Sequence, residues 1–153
     1  MNGVMTLITI TDKLKYARQS ELQVQAELEQ VERLHRILRL PNRSAEYVER
    51  LLEKLASLER RLNNSIDLAV DRKNEALNIL DNLEGDERTV LFQYYILGKN
   101  WEKISEEMYM SDRNVYNLRK KAMDKLSAIY LNGMPDTEKR RSGNNTIMAT
   151  PHN

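Results

Sequence analysis

Between Asp12 and about Leu40 the chain has no Gly or Pro, and its apolar residues return every three or four positions, at Leu14, Ala17, Val24, Leu28, Val31 and Leu38. These fall on the a and d places of a heptad repeat, with Glu21 and His35 as the two polar interruptions. The spacing predicts one amphipathic helix of ~29 residues, roughly 43 Å long at 1.5 Å per residue. Thr11 or Asp12 is its expected cap, which leaves 1–11 as a leader. Pro41 stops the helix, because proline disfavours helical backbone at the preceding Leu40. Ser44 then caps the next one. That second run extends from about Ala45 to Leu83, again without Gly or Pro. Its apolar face is Val48, Leu51, Leu55, Leu58, Leu62 and Ile66, and it then drifts through Ala69, Ala76, Leu80 and Leu83. The short link makes the two helices antiparallel neighbours. On this pattern the second helix is the longer by about ten residues, roughly 15 Å, so its last turns should project past the first and pack on something further along.

Shorter elements follow. Asp86 is placed to cap a helix over 87–97 that buries Val90, Leu91, Tyr94 and Tyr95, and Gly98 ends it. Asn100 caps a short helix from Trp101 to Met108, with Trp101, Ile104 and Met108 on its inner face. A turn at Tyr109 and Met110 leads to Ser111, which caps a last helix running to about Leu131. The pattern is all-α: a long, coiled-coil-like antiparallel hairpin over 12–78, then a helix-turn-helix domain over 79–131. Residues 132–153 are polar and rich in turn-forming residues, the composition of a mostly disordered tail.

Composition narrows the chemistry. Of the 153 residues 31% are charged and 6% aromatic, with 5 Gly and 3 Pro, a balance that favours long helices over a strand-rich sandwich. The net charge is only +1, so any basic surface must be local. Cys is absent, which excludes a disulfide framework and thiolate metal sites and fits the cytoplasm. The N-terminal run VMTLITI is too short to span a membrane and lacks the basic flank of a signal peptide.

The local charge lies in the last helix. On a helical wheel Val115, Leu118, Ala122, Leu126 and Ile129 share one side. Arg113, Asn117, Lys120 and Asp124 lie opposite, flanked by Asn114, Tyr116 and Lys121. The helix before it carries Glu102, Glu106 and Glu107 against Lys103 alone. Any surface helix turns Arg, Lys and Asn outward, so charge by itself does not decide. The order of features shifts the weight toward a DNA-reading helix: a capped short helix, a tight turn, a second Ser cap, and inward Val and Leu at the right spacing. Arg113, Asn114, Tyr116 and Asn117, in the first turns, are then the candidate readers of base edges in duplex DNA. Ser111, Lys120 and Lys121 are the candidate phosphate contacts. Arg119 lies nearer the buried flank and ranks lower. Leu91, Tyr95, Trp101, Ile104, Met108, Val115, Leu118 and Ala122 form the expected core of the motif.

This stretch resembles the helix-turn-helix of region four of bacterial sigma factors. The resemblance is carried by Asn100-Trp101, Glu102, Ile104, Glu107-Met108, Ser111, Val115, Leu118 and the ending KKAMDKL, with ILDNLEGDERTVL upstream. It spans Ile79 to Leu126. The whole layout, long helices followed by a GKNW step into the motif, is similar to the RinA and ArpU type activators of late phage transcription. The resemblance implies a DNA-binding regulator in a bacterial host's cytoplasm. It also makes RNA polymerase a candidate partner. A complete sigma factor needs aromatic residues to melt a promoter, and the helices before Ile79 hold Tyr16 and Tyr47 but no Trp or Phe. Regulation at a duplex site is therefore expected rather than initiation. A small terminase subunit, which also joins a helix-turn-helix to oligomerising helices, and a coiled-coil adaptor that binds no DNA are the alternatives.

No other chemistry is visible. His35 and His152 cannot pair on a metal, and His35 at a core place reads as a packed, register-setting residue, as does Glu21. There is no nucleophile–base pair, P-loop or Gly-rich cradle, so neither an enzyme nor a cofactor is expected. The hairpin is the expected self-association element, most simply as a dimer, with Val24, Leu28, Val31, Leu51, Leu55, Leu58 and Leu62 buried.

Overall fold

The computed structural model describes residues 3–132. These form five helices: α1 (Gly3–Leu38), α2 (Ala45–Leu80), α3 (Gly85–Tyr95), α4 (Trp101–Glu107) and α5 (Asp112–Leu131). No strand occurs among the described residues. The fold is all-α, with α1 and α2 as a long antiparallel hairpin. The residues expected to form the tail lie outside the described residues, apart from Asn132, which caps α5.

The first turns of α1 correct the expected leader. Thr11 does not cap a helix; it lies inside one and donates its hydroxyl hydrogen bond to the Leu7 carbonyl at 2.8 Å, as Thr9 does to Met5. Ile10 is fully buried. The VMTLITI run is thus an amphipathic helical segment, and its extra turns make α1 and α2 equal in length, 36 residues each. The end of α2 therefore does not project past its partner. It is covered by α1, with Ala76, Ile79 and Leu80 against Ile10, Leu14 and Ala17.

The same cluster takes in Leu83, Leu91, Tyr95 and Ile96 from the loop and α3, and Ala122, Met123 and Leu126 from α5. A boundary at 78 falls inside this core, so the hairpin base and the helix-turn-helix share one buried interior. Burial of Leu14, Leu80, Leu91 and Leu126, each fully enclosed, contributes on the order of 2 kcal/mol per side chain before the entropic cost of ordering.

A second cluster, Val31, Leu34 and Leu55 with Leu51, Leu58 and Leu62 around it, holds the far end of the hairpin. Here the inward face differs from the heptad reading. Leu28 is 42% exposed and His35 is on the surface, 3.5 Å from Glu59 Oε1, while Leu34 and Glu27 point inward. Glu21 is likewise half-exposed beside Arg18. The buried face here runs through Glu27, Val31 and Leu34, one residue earlier than the heptad at two of its places. Val24 is only half-buried. From Ala17 to Val31 on α1, and from Leu55 to Ala76 on α2, no apolar residue is fully buried. The hairpin is therefore packed at both ends and thin at its waist.

Local chemistry sets the turns. Ser44 Oγ accepts from the Tyr47 amide at 3.1 Å, the cap that the sequence implies. Asn42, at φ 64°, makes the turn in the left-handed region that Asn tolerates.

Candidate nucleic-acid interface

Each helix of the motif is started by its own side-chain cap. Asn100 Oδ1 accepts from the Lys103 amide at 2.8 Å, and Ser111 Oγ accepts from the Asn114 amide at 3.1 Å. Such caps stabilise a helix start by about 1 kcal/mol. The turn between them is a Schellman closure. The Met110 amide donates to the Ser105 carbonyl at 3.0 Å and the Tyr109 amide to the Glu106 carbonyl at 3.3 Å. The residue between, Tyr109, sits at φ 54°. Glycine takes that place at least cost, yet here it is a tyrosine that is 97% exposed. Met110 packs against the cluster of Val90, Ile104 and Val115, a hydrophobic contact of the kind that accompanies this closure.

Val90, Ile104 and Val115 form the interior of the motif, with Trp101, Met108, Met110 and Leu118 half-buried around them. Leu91, Tyr95 and Ala122, expected in the same core, belong instead to the larger cluster shared with the hairpin. The seam is aromatic. Tyr94 stacks on Trp101 with ring centroids 3.9 Å apart, and the Arg119 guanidinium lies 4.7 Å from the centre of the Trp101 ring. Burial pushes the Tyr95 hydroxyl above its ordinary pKa, although Arg119 acts in the other direction. Arg119 is thus a tie between helices, which accounts for its position on the flank.

The charges of the motif sort into two groups. Arg88 pairs with Asp81 at 3.1 Å, and Lys125 pairs with Glu87 at 2.9 Å. Lys99 and Lys103 both pair with Glu107, whose carboxyl is held below its ordinary range chiefly by the hydrogen bond from Lys99. Arg119 has Trp101. Arg113, Lys120 and Lys121 are left without an acidic or aromatic partner among the described residues.

These three lie on the outward side of α5. Asn114, Tyr116 and Asn117 are exposed with them, and Ser111 stands at the helix start. The structure leaves every candidate reader and phosphate contact exposed, with Tyr116 at the edge toward α4. Beside it a cleft of about 320 Å³ separates α4 from α5, lined by Trp101, Glu102, Ser105, Asp112, Tyr116 and Arg119. The Ser105 hydroxyl is buried there without a hydrogen-bond partner among the described residues. Sequence reasoning missed Tyr109, whose unusual backbone has no signal in the residue type, and the tie through Arg119. The i, i+3 spacing of Tyr116 and Arg119 places both toward α4.

No group of metal-binding side chains occurs among the described residues, and none of their helices is long and apolar enough to cross a membrane. In comparison with known proteins, no family model, no curated protein and no solved structure matches this chain.

Proposed function

We propose that this chain is a sequence-specific DNA-binding regulator of phage or prophage type that activates transcription of late genes and acts as an oligomer. The observation that carries the reading is the sorting of charge. In the helix-turn-helix region every cation but Arg113, Lys120 and Lys121 has an acidic or aromatic partner within the protein, and those three share a face with Asn114, Tyr116 and Asn117. Unpaired cations also stand along the hairpin, so what supports the reading is that these three share the outward face of the capped second helix with Asn114 and Asn117, where a polyanion can meet them. Arg113 and Asn117 suit bidentate contacts to guanine and adenine edges, and Lys120 and Lys121 suit phosphates.

Self-association through the hairpin belongs to the same reading. Leu22, Leu28, Leu52, Ile66, Leu68 and Val70 stay exposed along it, and a dimer would set two reading helices on one site, strengthening binding through effective concentration. RNA polymerase is a further candidate partner in this role.

Selection of genomic fragments by the purified protein, followed by sequencing and titration of the recovered duplex, tests the reading. Enrichment of one motif, and activation of a reporter promoter that contains it, are the expected results. Motif binding without activation would turn the assignment toward packaging of DNA. No preference over scrambled duplex would overturn it.

A further inference from the structure

The hairpin meets the helix-turn-helix along a cleft of about 430 Å³ between α1 and the α3–α4 turn. Lys15, Arg18 and Gln19 from α1 line it on one side, and Tyr94, Lys99 and Asn100 on the other. No carboxylate lines it. The two acids that approach its cations do so from outside: Glu21 lies 3.5 Å from Arg18 Nη1, and Glu107 holds Lys99. Lys15 is exposed and has no partner among the described residues.

Arg18 reaches across to the α3–α4 turn. Gly98, at φ 72°, closes the turn, and a Cβ there would fall 2.5 Å from Arg18 Cζ. The guanidinium therefore rests on the bare backbone of the turn, at the side of Lys99. Tyr95 forms a wall of this cleft and also of the next one, which contains Arg119 and Lys120. That next cleft also holds one acid, Asp124, and it is Tyr95 that joins the cations of α1 to the outward face of α5.

We propose that this seam is a phosphate-binding cleft, in which Lys15 and Arg18 of the hairpin take a backbone phosphodiester of the DNA that α5 reads. The inference rests on the DNA-binding reading of α5. It goes beyond that reading in making the first helix, more than eighty residues away in sequence, part of the nucleic-acid surface. Guanidinium and ammonium groups with amide and hydroxyl donors around them, and no acid in the wall, are the chemistry of an anion site. A phosphodiester contact of this kind anchors register without reading sequence.

The test uses the full chain and the duplex recovered by selection. Lys15→Ala removes an exposed, unpaired cation, and Arg18→Gln keeps a long side chain against Gly98 while deleting its charge. Urea unfolding of each variant checks that the fold is kept. Each variant should weaken preferred and scrambled duplex by the same factor, and lower the salt slope by about one unit, as one lost phosphate contact does. Base preference should stay as in the wild type, whereas Asn117→Ala should change preference. If both variants stay folded and bind with the wild-type salt slope, the cleft does not hold DNA, and the reading of α5 survives. If Lys15→Ala alone leaves the slope intact while Arg18→Gln unfolds, the proposal is equally overturned. Wild-type protein that binds no duplex overturns both readings. Inorganic phosphate is the remaining arm: a rise in melting temperature with phosphate that is lost in Arg18→Gln, with no change in duplex binding, would mark free phosphate as the ligand and overturn the backbone assignment.

Discussion

Tyr109 offers a stability test whose sign runs against the usual effect of a point change. Its backbone sits at φ 54° in the Schellman closure between α4 and α5. A residue with a Cβ in that region carries about 1–2 kcal/mol of steric strain. The side chain is 97% exposed and makes no hydrogen bond among the described residues, so its removal forfeits no burial. Glycine removes the strain but widens the unfolded ensemble, at a cost of about 0.4–1 kcal/mol. The difference, about 0–1.6 kcal/mol, leaves Tyr109→Gly the more stable by about 0.8 kcal/mol at mid-range. For a chain of this size that raises the melting temperature by about 1–4 °C. Tyr109→Ala is the control, because it deletes the ring and keeps the Cβ in the same strained backbone, and it should melt close to the wild type. Asn42→Gly, at φ 64° in the hairpin turn, should gain less, since Asn tolerates this region better than Tyr. Thermal melts and urea titrations with unchanged m-value read all three. If the Gly and Ala variants at 109 melt alike, the strain is absent and the argument fails.

Four further outcomes follow from the same structure. On the proposed DNA-binding reading, Arg113→Ala or Asn117→Ala should cost roughly 1–3 kcal/mol on the preferred duplex and flatten discrimination at one base pair, while Lys120→Ala should weaken all sequences alike; titrations at several salt concentrations separate the two patterns. Glu27 is 4% exposed, accepts from Gln23 through Oε1 at 2.9 Å and leaves Oε2 without a hydrogen-bond partner. Glu27→Leu should therefore stabilise the hairpin by about 1–3 kcal/mol in urea unfolding, and a destabilised variant would refute the reasoning. Gly98→Ala meets both the Arg18 guanidinium and a left-handed backbone, so it should destabilise by more than about 1 kcal/mol, read as a lower urea midpoint. Glu107 has its carboxyl lowered from the ordinary 4.5, so its pairs contribute stability at and above that pH. The contribution is lost as pH falls through the depressed folded-state value. An acid titration of unfolding should be shallower in Glu107→Gln than in the wild type.

Local chemistry made much of this molecule legible before any coordinates. Ser44, Asn100 and Ser111 each mark a helix start, because a short polar side chain satisfies amides within three residues of itself and needs nothing from the rest of the chain. α5 runs over the expected residues for the same reason, and the outward face of Arg113, Asn117 and Lys120 follows from helical periodicity alone. What local chemistry does not carry is which of several apolar stripes finds a partner. The heptad pattern turns Leu28 and His35 inward, whereas the packing of α1 on α2 buries Glu27 and Leu34 instead. Thr11 looked like a cap until burial of Ile10 and Leu14 against α2 and α5 made it worthwhile to continue the helix through it. The fusion of the hairpin base with the helix-turn-helix was hidden for a related reason. It rests on contacts between residues as distant as Leu14 and Leu126, and the free energy of such a contact depends on the arrangement of the whole chain rather than on any window of it.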